Sequence, residues 1–141
     1  MSLTLSTFLI TLLTLTGTTL AAPTIPTTNT PLLSKRFDLT CQDNGGGYRP
    51  VGEAQNCVDY LLAKGSTSCT VNGENVNYCE AGDTVISGSN VSGGGSSTSS
   101  CSDVALAAQK IIDSCTTPEG YVGGADAVDG NADIIVSINR G

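Results

Sequence analysis

The sequence predicts an α+β fold, a small disulfide-stapled antiparallel sheet with two helices on one face, in the split βαβ order of a ferredoxin-like sandwich. Three observations predict it. Six cysteines lie behind an apolar leader in a chain of 141 residues. The stretch Ser100–Cys115 has helical spacing and carries a cysteine at each end. The remaining apolar segments follow the order strand, helix, strand or hairpin, strand, helix, strand.

The leader comes first. Leu3 to Leu20 is apolar and threonine-rich, without a charged side chain, and ends in the small-x-small pattern Thr19-Leu20-Ala21. It reads as a secretory signal peptide cut after Ala21. Residues 22–36 are rich in Pro, Thr and Asn, too polar to form a core, and are expected to be a disordered pro-segment. They end in the dibasic pair Lys35-Arg36, where a processing protease would leave Phe37 as the mature N-terminus. Residues 37–141 form the predicted domain.

Charge narrows the partners. The whole chain has 6 Lys/Arg and 13 Asp/Glu, for a formal −7. Lys35 and Arg36 precede the domain and all 13 acids lie in it, so its four Lys/Arg leave a formal −9. Such a surface repels phosphate backbones and anionic lipid. Nucleic acid and stable membrane insertion are therefore not expected, and the domain is expected to be a monomer. So small a domain buries little of its surface, and disulfides supply the missing stability.

The elements follow in order. Phe37–Cys41 alternates apolar and polar as a short strand would. Residues 42–50, with three consecutive glycines, read as loop. Pro50–Lys64 is a helix with Val51, Ala54, Cys57 or Val58, Leu61 and Leu62 at helical spacing, and Gly65 sits at its C′ position. Ser68–Val71 reads as a strand, Asn72-Gly73 as a hairpin turn, and Asn75–Cys79 as the returning strand. Thr84–Ser87 is another short strand. Residues 88–100 are almost wholly Gly and Ser and read as a flexible linker. The linker holds the sequon Asn90-Val91-Ser92, so Asn90 is the expected N-glycosylation site.

The second helix is Cys101–Cys115, with Ser100 as N-cap and Asp103 at the third helical position. Cys101, Val104, Ala108, Ile111 and Cys115 share one face. Four turns place the two sulfurs about 20 Å apart, whereas a disulfide needs Cα atoms within about 7 Å. Cys101 and Cys115 therefore cannot pair with each other. Each must reach back to Cys41, Cys57, Cys69 or Cys79, which leaves about 12 of roughly 15 pairings. Residues 116–130 form a Gly/Asp-rich loop with Tyr121-Val122 as a small strand. Asp133–Ile138 is a β-branched run suited to a central strand. Its Ile134, Val136 and Ile138 offer a face for the second helix to cover.

The chain has no histidine, which removes Ser-His-Asp and Cys-His nucleophiles and the commonest metal ligand. It has no C-x-x-C pair. Asp129-Gly130-Asn131-Ala132-Asp133 begins like a calcium loop, but Ile134 and Arg140 stand where glycine and glutamate are needed. It reads instead as a turn leading into a strand. No cofactor or metal site is expected. Asp126, Asp129 and Asp133 are the candidates for a carboxylate-pair hydrolase. The four tyrosines, Tyr48, Tyr60, Tyr78 and Tyr121, read as packing residues rather than a binding strip.

The chain resembles small secreted fungal effectors, in particular the killer-toxin-like α/β group. The residues that carry the resemblance are Lys35-Arg36, Asn56-Cys57, Ser100-Cys101 through Cys115, and the tail Gly123-Gly124 followed by Asp129–Val136. That tail is also similar to the fungal necrosis-inducing extracellular effectors. The resemblance implies a secreted, non-catalytic, virulence-associated or toxin-like protein that binds a host or competitor protein or a cell-surface target. It implies no catalytic residues. Two alternatives stand beside it: a small hydrolase using Asp pairs, and a passive cell-wall or matrix protein.

Overall fold

A computed structural model gives the fold and describes residues 37–41 and 47–141. The signal-peptide and pro-segment assignments, with Ala21, Lys35 and Arg36, lie outside the described residues. The structure is α+β, as the sequence predicts, with two helices and small antiparallel sheets.

The chain enters as β1 (Arg49–Pro50) and runs straight into α1 (Val51–Ala63). Pro50, the N-cap, has no side chain to cap the helix. The Val51 N–H donates instead to the Gly120 carbonyl at 2.9 Å. Gly65 takes φ +56° just beyond the helix, a conformation that favours glycine, and its N–H closes on the Leu62 carbonyl. α1 buries Ala54, Cys57, Val58 and Leu61, while Leu62 turns out to solvent.

β2 (Ser68–Asn72) comes next, then β3 (Asn75–Ala81), β4 (Thr84–Asn90) and β5 (Ser96–Ser100). α2 (Cys101–Cys115) follows, then β6 (Tyr121–Val122), β7 (Gly124–Val128) and β8 (Asn131–Arg140). β3, β4, β8 and β7 form a four-stranded sheet in that order, every pairing antiparallel. β2 pairs with β5, and β1 with β6. Thr40 bridges Ala125 through two backbone hydrogen bonds of 2.9 and 3.0 Å, so residues 37–41 extend the β7 edge.

The split βαβ order is present in β4, α2 and β7: β4 and β7 run parallel, joined through α2, with β8 between them and antiparallel to both. The sheet is built as two hairpins, β3–β4 and β7–β8, joined by β4 against β8. The Asn72-Gly73 hairpin is corrected: β2 pairs with β5, not with β3. The reason is covalent. Cys69 is bonded to Cys101, the first residue of α2, so the residues just before α2 must run back along β2. The flexible linker is corrected for the same reason. Residues 88–90 complete β4 and 96–100 are β5, leaving only 91–95 as loop.

Helix α2 is the double-ended staple the sequence requires. Cys101 bonds to Cys69 and Cys115 to Cys41, with Cα–Cα distances of 5.0 and 4.9 Å. Cys57 bonds to Cys79, tying α1 to β3. Ser100 caps α2, its Oγ accepting the Asp103 N–H at 3.1 Å. Both helices lie on one face of the sheet, α1 over β3 and β4, α2 over β7 and β8. Ile134, Val136 and Ile138 point into this layer and meet Val104, Ala108 and Ile111 in one core. A smaller cluster of Ala125, Ala127 and Ile135 lies on the other face, with Phe37 packed on it.

Candidate functional site

A cleft of about 480 Å³ lies between α1 and β3, within the range of ligand pockets. Asn56 and Tyr60 line one side, and Asn77, Tyr78, Cys79, Glu80 and Ala81 the other. Asn56 and Tyr60 stand four residues apart on α1 and so share its outer face. The Cys57–Cys79 bond holds that face beside β3.

The β3 wall is shaped by a bulge. Asn77 pairs with Ser87 and Cys79 with Ile86, so Tyr78 is the extra residue of the strand. Its ring lies across Gly88 of β4. A Cβ at Gly88 would sit 2.7 Å from the Tyr78 hydroxyl and even closer to the ring. Gly88 is glycine for this close approach and not for its φ. The Tyr78 hydroxyl is buried, and among the described residues no protein group hydrogen bonds to it. Burial raises its pKa from 10 to about 12, so the ring is neutral at any physiological pH.

Tyr60 is half exposed, and the Lys64 ammonium sits 4.7 Å from its ring centroid. Glu80 is exposed at the same cleft. One end is braced by Glu53, whose carboxylate accepts the Asp83 N–H at 3.2 Å and the buried Thr84 hydroxyl at 2.7 Å. The cleft thus combines two phenol rings, two amides and a carboxylate in a cross-linked frame. It can bind by stacking, hydrogen bonding and attraction of positive charge.

The tyrosine expectation is corrected here. Tyr48, Tyr60 and Tyr121 are all exposed, and only Tyr78 packs partly into the core. A signal for the cleft was present in the sequence. Tyr60 lies three residues after Cys57, and Tyr78 directly precedes Cys79. Pairing those two cysteines brings the two rings together, but about 12 pairings remained open from sequence.

The structure does not bring the three candidate aspartates to one point. Asp126 is buried at 1% exposure, paired in β7 with the inward-facing Val136, and its Oδ1 accepts the Ala127 N–H. Asp129 is exposed at the β7–β8 turn and forms an ion pair with Lys110. Asp133 alternates with Ile134 and so takes the other side of β8. The segment that starts like a calcium loop is the β7–β8 turn, with Gly130 at φ +78°. No group of three or more metal-ligating side chains occurs among the described residues.

All six cysteines are bonded. Asn90 ends β4, its Oδ1 accepting the Ser92 N–H at 3.0 Å and its Nδ2 donating to the Gly95 carbonyl at 3.3 Å. The sequon therefore opens the short exposed loop 91–95. No helix of the described residues is long and apolar enough to cross a membrane. Three disulfides in so small a domain fit an oxidising, extracellular compartment.

Comparison with known proteins gives one family match. The model of a domain of unknown function, DUF8794, matches residues 36–140. No curated protein matches the chain.

Proposed function

Starting from a chain that belongs to the DUF8794 family, we propose a secreted, non-catalytic recognition protein of the effector or toxin-like kind. It binds a host or competitor protein or cell-surface target through the α1–β3 cleft. The observation that carries this reading is the Tyr78 wall. A buried hydroxyl without a protein partner costs about 1–3 kcal/mol, and Tyr78 carries one in order to lie across Gly88. A buried polar group held at the wall of a cleft supports a binding role for that cleft. The opposite wall is an exposed tyrosine, a residue type enriched where proteins bind. The spread of Asp126, Asp129 and Asp133 supports binding over carboxylate-pair hydrolysis.

The test expresses the full chain in a secreting eukaryotic host and recovers the protein from the medium. Labelled protein is applied to plant tissue and to competing microbial cells. The expected result is saturable binding or a tissue response, weakened by Tyr60→Ala with the fold retained by circular dichroism. Turnover of a polysaccharide or peptide substrate would overturn the reading, as would binding unchanged in Tyr60→Ala.

A further inference from the structure

We infer that the α1–β3 cleft receives an extended basic segment of a partner protein, which adds as a strand to the outer edge of β3 and sets an arginine or lysine side chain against Tyr60. The inference rests on the binding role given to this cleft above.

The first argument is the edge. β3 is the outermost strand on its side of the four-stranded sheet and pairs only with β4. Among the described residues, no strand pairs with its other side. β3 has seven residues, Asn75–Ala81, and the cleft runs along its second half. An exposed edge of this kind is a template for strand addition, in which backbone hydrogen bonds give affinity and side-chain pockets give specificity.

The second argument is the occupant already on the ring. Lys64 is exposed and holds its ammonium over Tyr60, so the chain's own cation shows what that ring attracts. An exposed contact of this type is worth about 0.5–1 kcal/mol, and the flexible lysine stem can swing away. A second cation arriving with its own backbone hydrogen bonds therefore displaces it at little cost. Glu80 lies on the same edge strand with its carboxylate on the face beside Gly141, and adds to the negative charge along that edge.

The third argument is charge over the whole domain. Thirteen acids stand against four Lys/Arg from residue 37 onward. This field steers a basic partner in and repels a second copy of the chain. A neutral saccharide can stack on Tyr60 but gains nothing from the charge.

The test uses purified, disulfide-bonded, ¹⁵N-labelled protein. The probe is a capped peptide of alternating threonine and valine with one central arginine. Controls are the same peptide with citrulline, which keeps the shape and removes the charge, and a neutral chitin trisaccharide. The expected result is amide shifts confined to α1 and β3 and slowed exchange of β3 amides. Binding should weaken about tenfold with citrulline, and similarly at high salt. Gly88→Ala, which drives the Tyr78 ring off its seat, should weaken it as well.

Equal binding of the citrulline peptide would overturn the inference. So would trisaccharide shifts at these amides with no response to the peptide. Cell binding that depends on Tyr60 with no peptide response would also overturn it, while leaving the binding role intact. Cell binding independent of Tyr60 would remove that role, and the peptide titration reports on the cleft regardless.

Discussion

Removing the Cys41–Cys115 bond isolates one source of stability. Cys41 is exposed, and its segment joins the sheet through the Thr40–Ala125 bridge. Cys41→Ala with Cys115→Ala therefore removes one exposed sulfur and one at the edge of the core, and chiefly frees the unfolded chain. The bond spans 74 residues of sequence, the longest of the three closures. The chain-entropy relation gives about 4.4 kcal/mol for that loop and about 3.4 kcal/mol for the separation of 22 in Cys57–Cys79. With a urea m-value of about 1.5 kcal/mol/M for a domain of this size, the midpoint should fall by about 3 M. Urea unfolding of the full chain, followed by circular dichroism and tyrosine emission, measures it. The chain has no tryptophan to mask that emission. A loss below about 1 kcal/mol with the native spectrum kept would refute the argument, because the unfolded chain would then gain little freedom from the cut.

Four further outcomes follow from particular contacts. Ser100→Ala should cost about 1 kcal/mol by removing the α2 cap, measured by thermal unfolding. Gly124→Ala should cost about 1–3 kcal/mol and speed amide exchange at Thr40 and Ala125, since its methyl would collide with the Thr40 carbonyl and crowd Ile111. Glu53→Ala should cost about 1–3 kcal/mol, because the buried Thr84 hydroxyl loses its acceptor. For Tyr78, the folded pKa of about 12 lies above the unfolded 10. Below pH 10 the group is neutral in both states and adds no pH dependence; as pH rises from 10 toward 12 the unfolded chain ionises first, so stability falls across that window. Ultraviolet titration should show a phenolate step near 12 that is absent in Tyr78→Phe, and that variant should be as stable as the parent or more so.

Much of the fold was legible because two segments carry strong signals. The α2 stretch has helical spacing, a capping serine and two cysteines too far apart to pair with each other. The β8 stretch has a β-branched run that only a buried strand accommodates. The Asn72-Gly73 reading failed because a turn signal is local, whereas strand partners were chosen by the Cys69–Cys101 bond across 32 residues. The Ser96–Ser100 reading failed because a ladder needs only backbone groups. Serines unsuited to a core still pair with β2 when a disulfide holds them there. The cleft was the least legible part, since it exists only once Cys57 meets Cys79. No periodicity reports a contact between a helix face and a strand bulge.

The strand order has a consequence for biogenesis. β8 pairs with both β4 and β7, yet it is the last element along the chain. During synthesis β4 is complete about 50 residues before β8, an interval of roughly 3–10 s at ribosomal speed. Throughout that interval the β3–β4 hairpin has an unpartnered edge along β4. All six cysteines have by then been made, before the strand that sets the geometry of their surroundings. The sheet is complete only when its final strand is threaded between the two that await it.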